Sequence, residues 1–316
     1  LMVRRSGRQL LPIIVLVGLV AAACGADPGN RPAANPSAAE SGDSAGTELA
    51  AADIGQARGA VVANTAGTVT TAGRQRIMTA IIGQDDRPFL GGTDLPVTIA
   101  YQAVESDSAF QVEGTWLTTN ASALGLYVSY VDFPSAGQWE ITLSADGAEI
   151  ARTSLTVTDE SPVPNIGDPA PATDSPIGTS PAEIGAISTD PEPDPALYEL
   201  SIADAVANGR PTMIAFATPA FCQTALCGPT LEAVKGAAIG HADLDVIHVE
   251  PFDIELATAG ELRPVPAMAE WGLQTEPWVF IIDADGAVQA SFEGIIGQEE
   301  LEAALDQLRD QGGLNS

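Results

Sequence analysis

The stretch Pro211-Thr-Met-Ile-Ala-Phe-Ala-Thr-Pro-Ala-Phe-Cys222-Gln-Thr-Ala-Leu-Cys227-Gly-Pro-Thr230 decides the architecture of the C-terminal part of this 316-residue chain. Its first half, 211–217, is a short apolar run of the kind that forms a buried strand. Its end opens a helix over 230–239, and Pro229 suits the first helical turn. Two thiols thus sit at a strand-to-helix turn. A cysteine near a helix N-terminus meets partial positive charge and unsatisfied N–H groups, which favour the thiolate. The pair points to thiol–disulfide chemistry, with Cys227 preferred as nucleophile and Cys222 as the partner that resolves or protects.

Outward from that turn, element types alternate. Residues 201–208 read as helix, 244–249 as strand, 266–271 as a short helix and 278–283 as strand. Asp283-Ala284-Asp285-Gly286 carries hairpin-turn chemistry leading to a partner strand over 288–292. A last helix over 298–308 puts Leu301, Ala304, Leu305 and Leu308 on one face. A β-α-β half followed by a β-β-α half points to a mixed sheet covered by helices.

This order resembles the thioredoxin fold over 196–316. Cys227-Gly-Pro-Thr230 is similar to that family's Cys-Gly-Pro-Cys turn, with Thr230 in place of the last cysteine. Trp271-Gly272 followed by Glu276-Pro277-Trp278-Val279-Phe280 is similar to the segment carrying the family's cis-proline. The resemblance implies that Pro277 backs the active disulfide and helps bind an extended substrate backbone. The chain also departs from the pattern. The spacing is Cys-x4-Cys, Phe221 replaces a tryptophan, and the position of the family's buried acid falls at Ala215. The lead-in Ile166-Gly167-Asp168-Pro169-Ala170-Pro171 resembles one found before extracytoplasmic domains of this kind.

Two other readings of the pair remain open. A structural disulfide is normal in an exported protein, although so small a loop constrains the unfolded chain least. Metal binding is the third, because copper chaperones of the Sco type share the fold and use two cysteines and a histidine. Here His241 and His248 both lie outside the segment before Pro277 where that ligand would fall, so no metal or other cofactor is expected. No phosphate loop, nucleotide fingerprint or Ser-His-Asp order is present.

The N-terminus concerns the third cysteine. Arg4, Arg5 and Arg8, an apolar stretch over 10–20 and Ala21-Ala22-Ala23 have the three zones of a secretory signal over 1–23. The apolar stretch is shorter than the ~20 residues that span a bilayer. Cys24 directly afterwards resembles the acylated cysteine of bacterial lipoproteins, although Ala21 stands where Leu or Val is usual. Residues 24–65, rich in Ala, Gly, Pro, Ser and Asp, read as a flexible tether.

Residues 66–159 contain short β-rich runs at 95–101, 111–117, 124–131, 138–143 and 150–157, separated by turn signals. Trp139, Ile141 and Leu143 alternate with Glu140 and Thr142, as in a half-buried strand. A small antiparallel sandwich is expected. The pattern Tyr127, Tyr130, Phe133, Gly137, Trp139 resembles immunoglobulin-like modules. Residues 160–195 carry nine prolines and read as a stiff, extended linker.

The chain has 42 acidic and 13 basic residues, a formal charge of -29 and a single lysine, Lys235. Electrostatic binding to nucleic acid or anionic lipid is excluded. The sequence therefore predicts a thioredoxin-like thiol–disulfide oxidoreductase behind a β-sandwich, tethered by a lipid on Cys24 to the extracytoplasmic face of the cell membrane. Its partners would be extracytoplasmic protein thiols and disulfides. The alternative is a non-catalytic binding or scaffold lipoprotein whose Cys222–Cys227 bridge is structural.

Overall fold

Period-two alternation of apolar and polar residues builds the first sheet. The computed structural model describes residues 58–62, 70–82, 91–118, 125–223 and 226–314. Eight strands, β1 (Arg58–Val62), β2 (Thr70–Thr71), β3 (Gly73–Ile82), β4 (Val97–Ala103), β5 (Ala109–Thr118), β6 (Gly125–Phe133), β7 (Gly137–Ala145) and β8 (Ala148–Thr158), join in the order β1-β3-β6-β5-β4-β7-β8-β2. All pairings are antiparallel except the two-residue β2–β8 contact. The first half of β5 pairs with β4 and its second half with β6, so the sheet curls there. Its inner face packs Ile77, Ile99, Tyr127, Phe133, Trp139 and Leu143 into one core.

β1 and β3 were not among the expected runs, and β1 falls within the expected tether. It pairs with β3 over its whole length, so that tether cannot extend to 65 as an unstructured segment. Residues 1–57, including the expected signal, Cys24 and most of the tether, lie outside the described residues.

The C-terminal region forms the expected mixed sheet flanked by helices. Its helices are α1 (Pro181–Ile187), α2 (Ile202–Ala207), α3 (Cys227–Ala238), α4 (Ile254–Thr258), α5 (Pro266–Glu270) and α6 (Gln298–Asp310). Strands β9 (Thr212–Phe216), β10 (Asp245–Val249), β11 (Trp278–Ile282) and β12 (Val288–Glu293) stand in the order β10-β9-β11-β12, with β9 and β10 parallel and the rest antiparallel. All residues of β9 and β11 are buried, because successive side chains enter two different cores. Met213, Ala215, Val279 and Ile281 face Leu231 and Val234 of α3 and Leu301 and Leu305 of α6. Ile214, Phe216, Phe280 and Ile282 face Ile202 of α2 and Met268 of α5. The turn after β11 forms as its residues dictate: Asp283 Oδ1 accepts the N–H groups of Asp285 and Ala287, and Gly286 takes φ 82°.

The proline-rich stretch 160–195 is not the coreless extended segment expected of it. Val163 and Ala170 are buried in one core and Ile184, on α1, in the other. Ser180 caps α1 through a reciprocal capping box with Glu183. Proline removes donors only at its own positions, and the residues between the prolines pair with the domain. Gly167 N–H donates to Val288 O and Val288 N–H to Asp168 O, which covers the start of the edge strand β12. Gly272 adopts φ 68°, and a side chain there would strike the Pro162 carbonyl.

The outer face of β3 and β6 carries a second apolar patch. Met78, Ala80, Leu126 and Val128 are buried with Ile295, and Leu226 packs against them. Arg76 fastens this contact: its guanidinium meets both carboxylate oxygens of Glu300 at 2.7 and 2.9 Å and donates to the carbonyls of Glu293 and Ile295. Among the described residues, no helix is long and apolar enough to cross a membrane.

Candidate functional site

The loop from β9 to α3 is held from both sides before any chemistry enters. His248 on β10 is buried and lies 2.8 Å from the carbonyl of Ala217 through Nε2. That contact assigns the proton to Nε2, so Nδ1 accepts from the Tyr198 hydroxyl at 2.8 Å, which in turn meets Ser188. Burial pushes the His248 pKa down to about 4, keeping the ring neutral. Further along, Ala220 N–H donates to Thr189 Oγ1, and Thr189 donates through N–H and hydroxyl to Glu250. Burial holds the Glu250 carboxyl above the usual carboxylate range. The proline-rich segment thus props the cysteine loop.

Cys227 is the first residue of α3, and Pro229 lies in its first turn. The Cys227 side chain is 0% exposed, whereas Cys222 in the loop is half-buried. The sulfurs of Cys222 and Cys227 lie within 4.8 Å of each other. The backbone N–H of Cys227 donates to Cys222 Sγ at 3.2 Å. That bond brings one orphan donor of the helix N-terminus to the more accessible sulfur. The hydrogen bond with Cys222 and burial together push the Cys227 thiol far up. Cys227 keeps the helix position that favoured it as nucleophile, while burial removes its sulfur from solvent, a factor that spacing along the chain does not reveal.

Pro277 is buried and its bond to Glu276 is cis. Glu276 was not singled out in the sequence, where it reads as an ordinary acid beside a proline. Its carboxylate lies within 4.8 Å of both sulfurs, and the residue is only 7% exposed. The Gln223 N–H donates to Glu276 Oε1 at 3.3 Å. Burial, opposed by that bond, raises its pKa. The one available signal was adjacency to Pro277. Ala215, where the resemblance puts an acid, points into the α3–α6 core. His248 serves the scaffold as described, and His241 lies beside Arg309 of α6. Two sulfurs and a carboxylate can exchange protons and disulfide bonds, and as a donor set they can hold a soft divalent metal.

No family model matches the chain, and no curated protein matches it. Among solved structures, MTB DsbF in its mixed oxidized and reduced forms is similar at 20% identity and TM-score 0.27, over 34% of this chain and 85% of that one. The Lin-41 filamin domain is similar at 12% identity and TM-score 0.23, over 32% of this chain and 93% of that one.

Proposed function

We propose that this chain is a thiol–disulfide exchange protein, with a thioredoxin-like C-terminal domain that is lipid-anchored through Cys24 on the extracytoplasmic face of the membrane. The observation that carries the chemistry is the asymmetry of the pair: Cys222 is accessible and accepts the Cys227 N–H, while Cys227 is buried within 4.8 Å of it. The strand order β10-β9-β11-β12 and the contact of Glu276, the residue before Pro277, with Gln223 of the cysteine loop support the thioredoxin-like reading. The signal-like N-terminus followed by Cys24 supports the anchor.

In the reducing direction the Cys222 thiolate attacks one sulfur of a client disulfide. The client S–S bond breaks, a mixed disulfide forms and one client thiolate leaves. Cys227 then loses its proton and attacks Cys222 Sγ, closing the Cys222–Cys227 bond and releasing the second client thiolate. Two electrons pass from the pair to the client. The oxidising direction is the reverse sequence. Leu226, the residue before Cys227, packs against the apolar patch that β3 and β6 share with Ile295, so the curled sheet would bound the client's path.

Separate Cys222→Ser and Cys227→Ser variants of the full chain test the assignment with a disulfide-bonded model peptide. Cys222→Ser should abolish exchange, and Cys227→Ser should accumulate a mixed disulfide seen by mass. The reversible couple should lie between roughly -120 and -270 mV. The complete burial of Cys227 favours one competing reading, a structural bridge. A pair that stays oxidised below about -300 mV, with both variants lowering only the melting temperature, would establish that instead.

A further inference from the structure

Exchange at this pair has a proton problem. Cys227 must shed a proton to attack Cys222 Sγ, and must regain one when it leaves. Its sulfur has no contact with solvent to do either. The electrostatic neighbours that bear on it are Cys222 and Glu276, with the backbone of Thr218 acting in the opposite sense. Glu276 is the one of these that can carry a proton without being consumed by the sulfur chemistry. Its backbone leads into β11, which starts two residues on, and its carboxylate is held by the Gln223 N–H. The carboxylate reaches both sulfurs within 4.8 Å, a span that one water closes. An acid buried there for packing alone would be poorly placed, since burial disfavours its charge and no cation is among the groups that bear on it.

We infer that Glu276 is the proton carrier of the pair. It takes the Cys227 proton as that sulfur attacks Cys222 Sγ, and returns it when Cys227 leaves as a thiolate. The S–S bond to the client breaks as the Cys222–Cys227 bond forms, and the proton that leaves Cys227 ends on the Glu276 carboxylate. The inference rests on the exchange reading above. Burial, which raises the Glu276 pKa, brings the carboxyl closer to neutral pH, where such a carrier works best.

The test uses the reduced full chain and a symmetric nitrobenzoate disulfide whose two coloured halves are released one per step. The first release reports capture by Cys222 and the second reports attack by Cys227. Glu276→Gln should leave the first within about threefold and slow the second on the order of 100-fold, with loss of the carboxyl ionisation from its pH profile. Glu276→Asp, which keeps the acid, should recover part of the rate. If Glu276→Gln disturbs folding, infrared difference spectra of the unaltered chain decide: a protonated carboxyl signal should change between the oxidised and reduced pair. Unchanged second-step rate and pH profile in Glu276→Gln, or no carboxyl signal in the unaltered chain, would overturn the role of Glu276 while leaving exchange intact. Absence of a second release from the unaltered chain would overturn the exchange reading, and this inference with it.

Discussion

The two sheets of this protein use similar residues and bury them differently. In the four-stranded sheet every residue of β9 and β11 is buried, because α3 and α6 cover one face and α2 and α5 the other. In the eight-stranded sheet β7 alternates buried and half-buried residues from Trp139 onward, and β5 is mostly open. Its outer face is covered at one patch, where β3 and β6 meet the segment around Ile295. A sheet covered on both faces offers a rigid floor at its strand ends, and the cysteine loop leaves from the end of β9. A sheet with one open face can instead lend that face to a neighbour. Here the loan falls beside Leu226, the residue before Cys227.

The largest test of the contrast is Phe280→Ala. Phe280 is 0% exposed in the middle of β11 and packs against Phe216, Trp271 and Trp278. Its loss should cost about 3–5 kcal/mol in denaturant unfolding, the range for removing a buried aromatic ring. A cost under about 1 kcal/mol would mean the doubly covered sheet is not tightly packed.

The next test is the pH dependence that His248 adds to the same sheet. Its folded pKa of about 4 lies below its unfolded value, so the unfolded chain binds more protons between the two. The contribution is complete above about pH 6.5 and is lost as pH falls through about 4. Glu250 and Glu276 have raised values and act in the opposite sense, so the comparison must be with His248→Gln. The stability difference between the two chains should shift by about 3 kcal/mol from pH 7 to pH 4. Parallel stability curves would show that the ring is not held neutral.

The smallest effect belongs to the contact between sheets. Arg76 and Glu300 have side chains 7% and 13% exposed, so the pair is largely desolvated. Arg76→Met should cost about 2 kcal/mol and separate the unfolding of the curled sheet, followed at Trp139, from that of the four-stranded sheet, followed at Trp271. A single transition of unchanged midpoint would show that the apolar patch alone couples them.

Legibility in the sequence follows the range of the interaction. The β9 and β11 strands, the 283–286 turn and helix α6 were readable because apolar periodicity and turn residues act over a few positions. Strand β1 was not, since it is defined by its pairing with β3, which lies further along the chain. Helix α1 hid among prolines, although Ser180 and Glu183 spelled out its capping box. In the site, both cysteines and Pro277 were visible as residue types at meaningful places. Their order of exposure was not, and Glu276 was missed because an acid shows its surroundings only once the chain is folded.

By itself the sequence determined the strand-to-helix turn that carries two thiols, the alternation that makes a mixed sheet, and the strongly acidic balance. These depend on local conformational preference and on counting charge. Tertiary structure alone decided that Cys227 is buried and Cys222 is not, that Glu276 meets both, and that the proline-rich segment props their loop. Burial and the approach of groups some fifty residues apart are sums over the whole packed molecule, and no short stretch of chain contains them.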